Sequence, residues 1–381
     1  MSKQIRFIIL LICAVLFFII TPYILLYSLG YRVDFENRKI VTTGGIYVRV
    51  LPQGADVIID SKISNKTGLF SNSVFVQDLL PKQHMVLIKK DGYHEYQKNL
   101  EVKENEVTKL ENVILFKKNT IFEVLPPAAQ SPFGQGVEEN KFIIKNNNLY
   151  YSDILENSNL TQTQKNTAVI KNIVTYKING NNIIWLGLDG FLYKSDSTGK
   201  NPEKINQTAL KISSLAVYKV FVFNQNIFLK ENNNLLLFDQ DEKIFKNFYS
   251  NAVDIKISGN GQKLLYYNDH EILFSDVNNL NGEKMLLNRF SEQIKDCYWV
   301  NDDYIIFQLG SKIIISEIDV RGNINTVQMP QTITLNSGAT INIENPKISF
   351  DQQDKKLYIL TQPIASAPDK NTVLVSERLV P

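Results

Sequence analysis

Cysteine, histidine and charge of one sign are all scarce in this chain, and each shortage removes a class of function. The two cysteines, Cys13 and Cys297, stand 284 positions apart, the first inside an apolar run. They build neither a disulfide framework nor a Cys/His metal spacing. The three histidines, His84, His94 and His270, have no partners at a spacing that makes a triad or a metal site, so exposed turn or strand positions are expected for all three. Lys+Arg 41 against Asp+Glu 39 leaves a formal net charge of +2. Such a balance gives no global field for neutralising phosphates, and nucleic acid is not an expected partner. Ser258 and Ser275 lack the Gly-x-Ser-x-Gly elbow of nucleophilic hydrolases. The acidic stretches Asp239 to Glu242 and Asn301 to Asp303 lack the ligand ladder of an EF-hand and read as solvated turns. No catalytic residue, metal or cofactor is expected.

What the chain does contain is core-forming material, with 44% hydrophobic and 21% charged residues over 381 positions. That length suits two or three domains. Phe7 to Leu29 is an uncharged run of 23 residues, preceded by Lys3 and Arg6 and followed by Arg32. As a helix it reaches about 34 Å, more than the hydrocarbon thickness of about 30 Å. Tyr23, Tyr27 and Tyr31 suit an aromatic belt, and no small-x-small cleavage site closes the run. The expectation is an uncleaved span over 7–29 in the lipid bilayer of the cell membrane, with 1–6 cytoplasmic, 30–43 a juxtamembrane linker, and the bulk extracytoplasmic. Arg32, Arg38 and Lys39 on the far flank weaken that orientation. No second apolar run approaches spanning length.

From Gly45 the pattern alternates. Ile46, Val48 and Val50 alternate with Tyr47 and Arg49, then Pro52-Gln53-Gly54-Ala55 precedes Val57 to Asp60. Met85 to Lys89 and Tyr96 to Val102 read as strands flanking a Lys90-Asp91-Gly92-Tyr93 turn in which Gly92 supplies positive φ, and Val113 to Phe116 closes the segment. This strand order, with Pro-x-Gly-Ala, Leu79-Leu80-Pro81 and Asp91-Gly92-Tyr93, resembles the PEGA domain, a small β-sandwich-like module of envelope proteins, over residues 44–117. Gln53 replaces the naming Glu, and Asp60-Ser61 replaces the family's Asp-Gly turn, which implies another turn geometry. The motif residues carried over are Pro52, Gly54, Ala55, Asp60, Gly92 and Tyr93, in a structural role. The resemblance implies a non-catalytic interaction module touching envelope proteins or wall and surface polymers. The kinase that accompanies some PEGA domains is absent, since no Gly-rich phosphate loop and no His-Arg-Asp motif occur.

Beyond residue 118 a unit recurs, an apolar strand, a tight polar turn and a second apolar strand. It runs from Lys141 to Asp153, from Ile183 to Asp196, from Val220 to Asp239, from Lys263 to Asp276 and from Tyr304 to Ser316. Leu149, Leu192, Leu236, Leu273 and Ile315 are spaced by 43, 44, 37 and 42 residues. A period of about 40 with four short strands predicts a β-propeller. Blades beginning near 120, 172, 213, 251, 292 and 342 make about six, closed by a strand from Thr372 to Arg378. Asp254 to Ser258, then Gly259 to Gln262, then Leu264 to Tyr267 is similar to the blade pattern of TolB-type propellers. A row of β-sandwiches is the alternative architecture. The chain contains 40 Asn. Asn tolerates left-handed backbone in turns, so no single one marks a site.

Together these features predict an all-β protein behind one helix, anchored in the cell envelope, binding or scaffolding without catalysis. The rival reading is a propeller-type hydrolase with its site at the central mouth, which needs carboxylates or a Ser/His pair converging there.

Overall fold

The uncharged N-terminal run folds as one helix, α1 (Lys3–Ser28), with Pro22 inside it. By length and composition it can cross a membrane. The helix ends where Gly30 takes φ +85°, backbone that residues with a Cβ rarely adopt. The Arg32 guanidinium then lies 3.5 Å from the centre of the Tyr27 ring and donates to Tyr27 O at 2.7 Å, a cation against the carbonyl end of the helix. The structure is a computed structural model, and it describes residues 3–35, 37–68, 71–126, 133, 142–152, 167–361 and 372–380. Two compact units emerge. The first holds 1–120, 316–327 and 379–381; the second holds 121–315 and 328–378.

In the first unit a hairpin, β1 (Tyr31–Asp34) with β2 (Lys39–Thr42), follows α1. Seven further strands are β3 (Gly44–Leu51), β4 (Asp56–Ile59), β5 (Ile63–Lys66), β6 (Ser73–Leu79), β7 (Gln83–Lys89), β8 (Tyr96–Glu101) and β9 (Val107–Ile114). They form two sheets, β6-β3-β9 and β5-β4-β7-β8, with β3 and β9 parallel. Alternation supplies the core between them. Ile46, Val48 and Val50 of β3 meet Val57, Ile59, Val86 and Ile88 of the other sheet, all fully buried. The expected strands over 46–50, 57–60, 85–89 and 96–102 are present, the strand expected over 113–116 begins earlier and ends at Ile114 as β9, and β5 and β6 are additions.

The second unit opens with β10 (Ile121–Val124) and then builds sheets in chain order. The first is β11 (Phe142–Lys145), β12 (Asn148–Tyr151) and β13 (Ile170–Lys171); Lys141 and Asp153 of the first predicted unit lie outside the described residues. Next come β14 (Ile173–Asn179), β15 (Asn182–Gly187), β16 (Leu192–Asp196) and β17 (Glu203–Lys204), then β18 (Tyr218–Phe223), β19 (Asn226–Glu231), β20 (Asn234–Asp239) and β21 (Ile244–Tyr249). The fourth sheet is β22 (Asp254–Ile257), β23 (Lys263–Tyr267), β24 (Glu271–Asp276) and β25 (Met285–Arg289). The fifth is β26 (Ile294–Trp299), β27 (Tyr304–Leu309), β28 (Lys312–Glu317) and β29 (Thr326–Gln328), of which residues 316–317 and 326–327 are counted with the first unit.

The last sheet gathers β30 (Thr332–Leu335), β31 (Thr340–Asn342), β32 (Lys347–Asp351), β33 (Lys356–Thr361) and β34 (Thr372–Ser376) in the order β31-β30-β10-β34-β33-β32. Here β10 from the start of the unit pairs with β34 from its end, Phe122 opposite Ser376 and Val124 opposite Leu374. Among the described residues, six sheets of mostly four antiparallel strands, the last completed by the first strand, give a propeller-like architecture. Pairing the two ends hides the edges that an open stack exposes. The stretch from Asn323 to Ala339, which fits the repeat poorly, supplies β29 and then β30, which joins the last sheet by a parallel pairing with β10.

Candidate functional site

The motif residues of the first unit form its turns. Gly54 sits at φ +76°, and the adjoining Gln53 O accepts from Lys90 Nζ at 2.6 Å. Lys90 thus ties the Pro-x-Gly-Ala turn after β3 to the turn after β7. Ala55 is fully buried, and its N–H donates to Thr67 Oγ1 at 2.9 Å. Gly92 has φ +81°, and the Tyr93 N–H closes the turn on Lys90 O at 3.1 Å. Tyr93 packs on the core and bridges to Lys117.

Two expectations need correction here. The Asp60-Ser61 turn does not leave the left-handed region, since φ is 50° at Asp60 and 59° at Ser61, and Lys62 N–H reaches Ile59 O at 3.0 Å. Side-chain bonds hold it there. Asp60 Oδ1 accepts from Met85 N–H at 3.0 Å, and Asp60 Oδ2 lies 2.7 Å from His84 Nδ1. His84 is accordingly a buried residue rather than an exposed one, with Nε2 donating to Leu80 O at 2.7 Å. Burial alone would raise the Asp60 carboxyl, but the His84 and Met85 bonds outweigh it and hold the group below its ordinary value. His94 is half-buried and His270 is exposed.

The acidic stretches serve as turns. Asp239 Oδ1 accepts from the Asp241 and Glu242 amides, and Asn301 Oδ1 from those of Asp303 and Tyr304. Among the described residues no His/Cys/Asp/Glu group is placed to hold a metal. Burial pushes the Cys297 thiol up to about 12, so it remains a neutral packing residue.

Within the second unit, a cavity of about 330 Å³ opens among one edge strand from each of five consecutive sheets, β14, β18, β22, β26 and β32. One space bordered by five such strands is the centre of the ring. Its walls carry Lys177, Lys219, Lys256 and Asp254 beside aromatic and aliphatic side chains. Lys256 Nζ sits 3.5 Å from the centre of the Tyr298 ring and 3.6 Å from Asp254 Oδ2. Burial raises the neighbouring Asp296 carboxyl against the pull of Lys256 and Lys347. Burial, with Asp296 next in weight, raises the Tyr298 hydroxyl far above its ordinary range. The lining offers cations and rings, and no Ser or His is among the described residues that form it. Sequence reasoning passed over these lysines, although they recur in the first strands of three successive repeats.

A second group was also missed. The segment 316–327, part of the first unit, covers β8, the edge strand of its sheet. Asn323 Oδ1 accepts from Asn99 N–H at 2.9 Å, Asn323 Nδ2 donates to Gln97 O at 2.7 Å, and Asn325 Oδ1 accepts from Gln97 N–H at 3.0 Å. Amide side chains here take the place of a neighbouring strand. Gly322, at φ +63°, is required because a Cβ would collide with Asn99 O.

Comparison with known proteins adds the following. No relative among curated proteins matches the chain. Among solved structures the chain is similar to Kluyveromyces lactis Hsv2, at 11% identity and a TM-score of 0.38, over 58% of this chain and 65% of that one. It is also similar to YCF48 bound to D1 peptide, at 14% identity and a TM-score of 0.38, over 87% of this chain and 96% of that one. The chain thus spans just under two thirds of Hsv2. The segment at residues 43–115, which holds all six motif residues above, matches the family model of the PEGA domain.

Proposed function

We propose that this chain is a single-span protein of the bacterial cell envelope that binds or scaffolds outside the cytoplasm, without catalysis, engaging envelope proteins or surface polymers. In this reading α1 is an uncleaved anchor, the PEGA segment is an interaction module, and the second unit is a TolB-like propeller whose central cavity is the recognition surface. The observation that carries it is that cavity, whose lining presents cations and aromatic rings for binding. Support for the anchor comes from the apolar helix that precedes the PEGA segment with one hairpin between them.

In-cell cross-linking of the full-length chain, followed by affinity capture and mass spectrometry, tests the reading. Reproducible partners from the envelope, together with an intact N-terminal peptide on membrane-fractionated protein, are expected. Recovery of a form beginning between residues 22 and 40, or the absence of any cross-linked envelope partner, would overturn it. Turnover of ester, peptide or glycoside substrates that is lost on Asp254→Asn would favour the hydrolase instead.

A further inference from the structure

The central cavity carries more cations than anions among the described residues. Its lining holds three lysines, Lys177, Lys219 and Lys256, against one carboxylate, Asp254, which lies 3.6 Å from Lys256 Nζ, and the Asp296 carboxylate stands beside them. More positive charge stands nearby. Burial lowers the Lys230 ammonium, Asp254 opposes that lowering, and Lys219 adds to it to a smaller extent, while Lys347 acts on Asp296. Cations in excess of carboxylates on a partly desolvated wall favour an entering anion.

The remainder of the wall is apolar. Val222, Phe223 and Ile257 are only half-buried, which leaves apolar surface beside the ammonium groups. A ligand that uses the whole cavity therefore carries both negative charge and an apolar side group. At about 330 Å³ the space takes one or two side chains rather than a folded surface. A phosphate-polyol chain would leave the apolar wall unused, and planar phosphate recognition is better served by arginine forks, which the lining lacks.

We infer that the cavity binds an acidic peptide segment, with a carboxylate on Lys219 and a neighbouring apolar or aromatic side chain against Phe223 and Ile257. This deepens the binding role proposed above and rests on it.

The test uses the full-length chain in nanodiscs of phosphatidylcholine, so that the lipid contributes no net charge. The probe is a fluorescein-labelled hexapeptide of alternating glutamate and phenylalanine, read by anisotropy. Its glutamine-for-glutamate counterpart and a polyphosphate of equal charge serve as competitors. Expected results are saturable binding that weakens as salt rises, competition at least about tenfold poorer by either competitor, and a loss of about tenfold or more in affinity on Lys219→Glu. If Lys219→Glu lowers the thermal transition, Lys219→Gln replaces it, with a smaller loss in the same direction. Equal competition by the glutamine peptide or by polyphosphate, or unchanged affinity in both Lys219 variants, would overturn the inference. Failure here while cross-linked envelope partners are still recovered removes the acidic-peptide assignment alone. Absence of those partners removes the wider binding reading.

Discussion

Lys98 Nζ lies 2.6 Å from Glu317 Oε1, an ion pair between residues 219 positions apart with the lysine side chain wholly buried. Every polar atom of the pair is used. The ammonium also donates to Asp319 O at 2.8 Å and Asn323 O at 3.0 Å. Glu317 Oε1 accepts from the Asn325 backbone and side chain, and Oε2 from the Tyr96 hydroxyl at 2.8 Å. A buried pair is affordable only with such full satisfaction, and removing one partner strands the other in a poorly solvated site.

Lys98→Met is therefore expected to lower the stability of the first unit by about 3–5 kcal/mol. The double variant Lys98→Met with Glu317→Leu should recover much of that loss, because both charges leave together. Urea unfolding of the full chain, followed in the first unit, measures both. A single variant within 1 kcal/mol of the parent, on the order of a surface substitution, would show that the pair contributes no such energy.

Gly54 tests the turn geometry. Its φ of +76° disfavours any residue with a Cβ, and the atom would also press on Lys90 Nζ at 3.2 Å. Gly54→Val should cost the first unit about 1–3 kcal/mol, with the transition of the second unit unmoved, since each has its own core. Calorimetry resolving the two transitions provides the check, and equal displacement of both would contradict the division.

The Asp60 carboxyl gives a pH dependence of definite sign. Its folded value lies below its unfolded one, so the unfolded state binds the proton more readily as pH falls. The stabilisation is present in full above the unfolded value, about 4. It is lost progressively as pH falls from there through the folded value. Asp60→Asn should flatten this acid limb below about pH 5 in urea unfolding of the first unit. An unaltered acid limb in the variant would assign the dependence to other groups.

The propeller was legible because its strands repeat in both chemistry and spacing, down to the pairing of Leu149, Leu192 and Leu236 inside successive sheets. The Asn excess also has a physical reading. Nine of the 15 non-glycine residues described at positive φ are Asn, among them Asn146, Asn147, Asn224 and Asn232 at hairpin turns. What escaped is what depends on distant partners. His84 is buried because Asp60 and Leu80 accept from it, and neither is adjacent in sequence. Lys98 did leave a trace. It occupies the buried register of Tyr96 and Leu100, where a charge demands a partner, but only the fold identifies Glu317. The Asp60-Ser61 turn was misread because residue type alone argued against left-handed backbone there, whereas local hydrogen bonds maintain it.

Closure of the ring depends on β34. It lies between β10 and β33, with Leu374 opposite Val124 on one side and Ile359 on the other, and Leu374 is fully buried. Deleting residues 370–381 removes this interior strand, which exposes β10 and β33 as unpaired edges and opens the last sheet. The second unit should then lose its cooperative transition or aggregate, whereas loss of an ordinary tail costs almost nothing. Leu374→Asp makes the same point without shortening the chain, because an isolated carboxylate cannot be buried there without protonation or local opening. Thermal unfolding with light scattering measures both variants. An unchanged melting temperature and solubility in both would mean that β34 is dispensable, and the sheets would then stand as separate modules in a row.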